Sequence, residues 1–152
     1  MYDFKMVLGL SDINHKLVPV LHKLLEQKSS IVFLHGELGA GKSELVRRLI
    51  QFSGYKGPVS SPSYNILNQY DASLKFVHVD LYRFKRFDAI DLLMLDECYG
   101  SHHYLIEWPE HAEAGVLPAS DIDIYIRTAE RDSLERQYHI KVNGQGYVLV
   151  PN

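Results

Sequence analysis

Eight consecutive residues, Gly36-Glu37-Leu38-Gly39-Ala40-Gly41-Lys42-Ser43, satisfy the spacing G-x-x-x-x-G-K-[ST]. That spacing suits a polyphosphate. Its glycines let the backbone curl so that successive N–H groups point at one spot, and Ala40 adds little bulk. The anion would lie at the N-terminus of the helix that follows. Lys42 supplies a flexible positive charge for the β and γ oxygens. The Ser43 hydroxyl is a hard oxygen donor suited to Mg²⁺, an ion that keeps most of its water. A nucleoside triphosphate with Mg²⁺ is therefore expected.

A triphosphate site also needs an acid near the metal and a group that orients water or an acceptor. Asp80 ends the apolar run Phe76-Val77-His78-Val79, and Glu107 ends Leu105-Ile106. In α/β sheets the ligand crevice lies beyond the carboxyl ends of the strands, so both carboxylates are placed to converge on the loop. The competing reading is a strand-end acid paired with an arginine, Arg83 for Asp80. Trp108 reads first as a core residue and second as a stacking platform. The eight histidines make no motif, and His102-His103, if in a strand, point to opposite faces. Cys98 is the only cysteine, which excludes an internal disulfide framework and reads as a packing residue. Arg131 and Arg136 flank a charged turn.

These groups require particular elements. The run Ile31-Val32-Phe33-Leu34 before the loop reads as a buried strand. After it, Leu45, Val46, Leu49, Ile50 and Phe52 recur at helical spacing, opposite Arg47, Arg48 and Gln51. Leu17, Leu21, Leu24 and Leu25 predict a helix from about Val18 to Gln27, with Pro19 in its first turn. Gly54 to Pro62 reads as a loop. Tyr64 to Tyr70 and Lys75 to Leu81 predict an antiparallel hairpin. A short helix is expected over Asp88 to Leu95, then strands at Tyr104 to Trp108, Asp121 to Ile126, Gln137 to Val142 and Tyr147 to Val150. The whole predicts an α/β, three-layer P-loop NTPase-like domain with a mixed parallel and antiparallel central sheet.

At 152 residues the expectation is one domain over 1–152. No apolar run approaches a membrane span, and Met1-Tyr2-Asp3-Phe4-Lys5 does not open a secretory signal, so a cytoplasmic protein is expected. A net charge of -3 argues against a broad nucleic-acid surface.

Four blocks in order resemble the TsaE family, the small bacterial ATPases of tRNA threonylcarbamoyladenosine (t6A) biosynthesis. They are the glycine loop, Ser61-Pro62-Ser63-Tyr64, His78-Val79-Asp80-Leu81-Tyr82-Arg83 and Leu105-Ile106-Glu107-Trp108-Pro109-Glu110. The resemblance covers most of the chain. It implies ATP contacts along Glu37, Leu38, Gly39, Ala40, Gly41, Lys42, Ser43 and Glu44, with Arg136 approaching the nucleotide. It assigns Lys42, Asp80 and Glu107 to the catalytic region and Ser43, Asp80 and Glu107 to Mg²⁺, Glu107 as the acid of a Walker-B-like strand. Ser61-Pro62-Ser63 resembles the family's switch-like loop. The family acts with the TsaB–TsaD pair, so tRNA would be met mainly through that complex. Glu37 stands where the family usually has Asp, and Ser43 and Ser63 where it usually has Thr. Serine keeps the hydroxyl and loses the methyl that stiffens χ1.

Three rivals share the loop. A small-molecule kinase needs a closing lid rich in arginine, and no such segment is evident. A GTPase needs a guanine-reading motif; Asn68-Gln69-Tyr70-Asp71 has glutamine in place of the lysine, and no D-x-x-G occurs. A nucleotide-sensing interaction module, with negligible hydrolysis alone, is left open.

Overall fold

The computed structural model describes residues 1–62, 65–84, 98–129 and 133–148. The helix expected over Asp88 to Leu95, Ser63 and Tyr64 of the switch-like block, and Arg131 lie outside the described residues.

Among the described residues, seven strands form one sheet: β1 Tyr2–Leu8, β2 Ile31–His35, β3 Leu67–Asp71, β4 Lys75–Asp80, β5 His103–Glu107, β6 Ile122–Thr128 and β7 Arg136–Val142. Their order is β1-β7-β6-β2-β5-β4-β3. β2 lies between β5 and β6 and runs parallel to both, and β4 is parallel to β5. The outer pairs, β1 with β7, β7 with β6 and β3 with β4, are antiparallel. This is the mixed sheet expected. Strands covered on both faces read as continuous apolar runs, as Ile31 to Leu34 does.

The expected hairpin exists, but β3 begins at Leu67, and Asn65 and Ile66, expected in the strand, form a bend. β1 was not expected. Its Tyr2, Phe4, Met6 and Leu8 turn inward while Asp3, Lys5 and Val7 stay exposed, a period of two that a short terminal segment displays weakly. The strand expected at Tyr147 to Val150 is corrected: Tyr147 and Val148 are not in a strand, and the remaining two residues lie outside the described ones. Tyr147 instead packs its buried ring inward, with its hydroxyl 2.6 Å from Ser30 Oγ.

Among the described residues, two α-helices cover one sheet face. A π turn, Ile13–Leu17, leads into α1, Val18–Leu25, whose Pro19 occupies the first turn where no N–H is needed. α2 is Lys42–Phe52. Leu17, Leu21, Leu24 and Leu25 join Leu45, Val46, Leu49 and Ile50 in one core with Leu34, Leu105, Ile124 and Ile140 of the sheet. Each such side chain contributes about 1.5–3 kcal/mol on burial, which holds α2 against the sheet and fixes where its N-terminus points. On the other face, Val77, Val79, Tyr104 and Ile106 pack with Phe33, Trp108, Val116 and Leu117.

Candidate functional site

The loop between β2 and α2 turns on three glycines with positive φ: Gly36 (152°), Gly39 (79°) and Gly41 (105°). A Cβ on Gly36 would lie 2.6 Å from the Ile126 carbonyl oxygen, so β6 admits only glycine there. The left-handed Gly41 caps the start of α2.

Lys42, the first residue of α2, is 4% exposed. Its Nζ donates to the Gly36 and Glu37 carbonyl oxygens at 2.6 and 3.0 Å and lies 3.8 Å from the centroid of the Trp108 ring. Burial lowers its pKa, against the opposing charges of Glu107, Glu110 and Asp80.

The two strand-end acids fall directly opposite one another in register, at the ends of β4 and β5. Glu107 is buried, 2% exposed. Its Oε2 accepts from the Ser43 hydroxyl at 3.0 Å, and its Oε1 lies 2.7 Å from Nε2 of His78. Asp80 accepts from the Ser61 hydroxyl at 3.1 Å and from the Tyr82 backbone N–H at 2.9 Å. The structure thus brings Lys42, Ser43 and Glu107 together, sets Asp80 beside Glu107, and ties the Ser61 segment to Asp80. The partner found for Glu107 is a histidine, not an arginine.

Trp108 is half-buried, packed at the edge of the second apolar cluster, and is the only non-glycine with positive φ among the described residues. At φ 59° and ψ 47° it costs about 1–2 kcal/mol of backbone strain. The left-handed turn lays the indole over Lys42, 4.9 Å from the Tyr82 ring and 5.3 Å from that of His111.

A cavity of about 610 Å³ opens over the loop, lined by Gly36 to Ala40, Trp108 and Glu110 on one side and by His35, Tyr125, Arg127 and Thr128 on the other. His35 stacks on Tyr125 with centroids 4.4 Å apart and rings inclined by 11°, and its Nε2 is 2.7 Å from Asp123 Oδ1. Burial pushes the Asp123 pKa up, but hydrogen bonds from His35, Ser120 and Asn143 together hold it below its ordinary value.

Of the residues expected at the nucleotide, Glu37 to Ala40 line this cavity; Gly41, Lys42 and Ser43 lie at the start of α2 beside it, and Glu44 and Arg136 are engaged elsewhere. Arg136 donates to the Ser133 and Glu135 carbonyl oxygens and is paired in register with Thr128, which does line the cavity. Glu44 receives hydrogen bonds from Arg47 Nη2 and Arg48 Nε, both at 2.6 Å. Burial raises its pKa, and these two arginines bring the net shift below the ordinary value. His35, His78, Tyr125 and Arg127 were not singled out in the sequence. Period-two alternation carried a signal for some: His78 shares a face with Asp80, and Tyr125 and Arg127 occupy the wet face of β6.

The donor chemistry fits Mg²⁺ with a polyphosphate. One hydroxyl and one or two carboxylates are the ligands this ion takes from proteins, with water and phosphate completing the shell. The glycine turns and the start of α2 provide the amide cradle.

A central parallel strand, a glycine turn and a helix beginning at the loop lysine define a P-loop-like α/β protein. The chain belongs to the TsaE family: residues 12–138 match the family described as "Threonylcarbamoyl adenosine biosynthesis protein TsaE". It is 35% identical over 113 residues to the tRNA threonylcarbamoyladenosine biosynthesis protein TsaE of Haemophilus influenzae, covering 73% of this chain and 71% of that protein. The namesake from Streptomyces coelicolor is 33% identical over 130 residues, covering 83% and 86%. The crystal structure of YdiB from Bacillus subtilis superposes with a TM-score of 0.73 at 26% identity, covering 96% of this chain and 89% of that one. No helix among the described residues is long and apolar enough to cross a membrane.

Proposed function

We propose that this chain is a Mg²⁺-dependent ATPase required for t6A modification at position 37 of ANN-decoding tRNAs, acting with the TsaB–TsaD complex in the cytoplasm. The observation that carries the reading is the hydrogen bond from Ser43, next to the loop lysine, to the buried Glu107 at the end of the neighbouring strand. Family membership and the names of the relatives supply the pathway.

In this reading the loop amides and Lys42 bind the phosphates, with Lys42 leaving the carbonyls of Gly36 and Glu37 for the β and γ oxygens. Bound Mg²⁺ supplies charge neutralisation at those oxygens. Ser43 with Glu107 or Asp80 would hold it, and one of the two acids would orient the attacking water. Trp108, Tyr125 and His35 wall the cavity, and Arg127 adds positive charge at its rim. Transfer of the threonylcarbamoyl group belongs to the partner proteins, and ATP turnover resets that assembly.

Reconstitution tests this directly. The unmodified chain should sustain repeated t6A formation on tRNA with the other pathway proteins, whereas Lys42→Ala and Glu107→Ala should not. Equal turnover by both variants would defeat the role. Phosphate delivered from labelled ATP to a small acceptor, rather than released, would make the chain a kinase instead.

A further inference from the structure

We propose that His78 is the positioning residue for Glu107: it holds one carboxylate oxygen so that the other is presented to Ser43 and to the metal that would bind there. The inference deepens the Mg²⁺-nucleotide reading and rests on it.

His78 lies on β4 in register with Leu105, two residues before Glu107 on β5. Its side chain therefore meets Glu107 diagonally across one face of the sheet. Both side chains are sealed from solvent, at 1% and 3% exposure. The two oxygens of Glu107 are differentiated: Oε1 lies 2.7 Å from His78 Nε2, and Oε2 takes the Ser43 hydroxyl at 3.0 Å. An acidic side chain with one free oxygen could rotate about its last torsion, which is broad for glutamate. The imidazole removes that freedom. Asp80, although directly opposite Glu107, is held separately by Ser61 and Tyr82.

The ring has one function in this setting. A carboxylate oxygen accepts, so Nε2 carries the hydrogen. Nδ1 is buried with no hydrogen-bond partner among the described residues, which a lone pair tolerates better than an N–H would. Carboxylate–histidine pairing of this kind is how outer groups orient metal-binding side chains, and losing such a partner weakens metal affinity by about 10–100-fold.

The test uses the full chain with a fluorescent ATP analogue titrated with Mg²⁺. His78→Leu should raise the half-saturating Mg²⁺ concentration by about 10–100-fold, while affinity for the analogue without metal stays unchanged. His78→Gln, whose amide can donate from nearly the same place, should restore most of the loss. Unchanged Mg²⁺ dependence in His78→Leu would overturn the inference, as would a parallel loss of metal-free affinity, which marks a merely structural histidine. If the unmodified chain shows no Mg²⁺-dependent tightening, the nucleotide reading fails and the inference with it. Should His78→Leu not fold, long-range ¹H–¹⁵N correlation of the unmodified protein decides: hydrogen on Nε2 supports the assignment, and hydrogen on Nδ1 alone refutes it.

Discussion

The ammonium of Lys42 sits 3.8 Å from the centre of the Trp108 ring while donating to two carbonyl oxygens of its own loop. The cation that would meet the phosphates is therefore already engaged, by groups that a triphosphate must displace. Such a cation–π contact is worth about 2 kcal/mol when shielded from water.

Trp108 is the chain's only tryptophan, so indole emission reports from this one place, where Lys42 lies over the ring. Adding ATP should change the fluorescence saturably as the ammonium moves to the phosphates. Lys42→Ala should shift the resting emission and abolish the response. A titration with no change in the unmodified protein would show that Lys42 does not leave the ring.

Two of the loop glycines, Gly36 and Gly39, differ in what surrounds them. Gly36→Ala drives a methyl to 2.6 Å from the Ile126 oxygen and should cost about 2 kcal/mol or more. Gly39→Ala meets nothing within 4 Å and pays only for its φ of 79°, about 1 kcal/mol. Urea unfolding of the two variants should rank them in that order.

Burial, aided by the charges of His102 and His22, lowers the His103 pKa from 6.5 to about 4. The unfolded chain thus takes up this proton before the folded one does. Stability from this group is complete above pH 6.5, declines as pH falls from there toward 4, and levels off below, a total on the order of 3 kcal/mol. Denaturant midpoints measured across that range should fall with acid, and His103→Phe should flatten the dependence.

Tyr147→Phe removes the hydroxyl that meets the buried Ser30 Oγ at 2.6 Å. Because Ser30 Oγ donates to the Lys28 carbonyl oxygen, the phenol is the donor in this pair. The variant should lose about 1 kcal/mol, read by chemical denaturation, with the loop untouched.

Much of the site was legible because it is local. The strand Ile31 to Leu34, the glycine loop and the helix after it follow one another in the chain, so spacing alone placed Lys42 and Ser43. Asp80 and Glu107 were found by the rule that ligands gather at strand ends, and the two lie directly opposite one another in register. Arg136 had only a turn of charged residues to place it, and such a turn carries no periodic signal; the structure puts it at the start of β7 with its guanidinium on the Ser133 and Glu135 carbonyl oxygens.

The order of residues by itself determined the loop, its flanking elements and the family, since each depends on neighbours within a few turns of chain. Tertiary structure decided the rest. The pairing of β4 with β5 chose His78, not an arginine, for Glu107; the approach of β6 made Gly36 obligatory; and the left-handed turn at Trp108 put an aromatic ring over Lys42. These contacts join residues far apart in sequence, and their partners are selected by register and backbone handedness, which no single segment encodes.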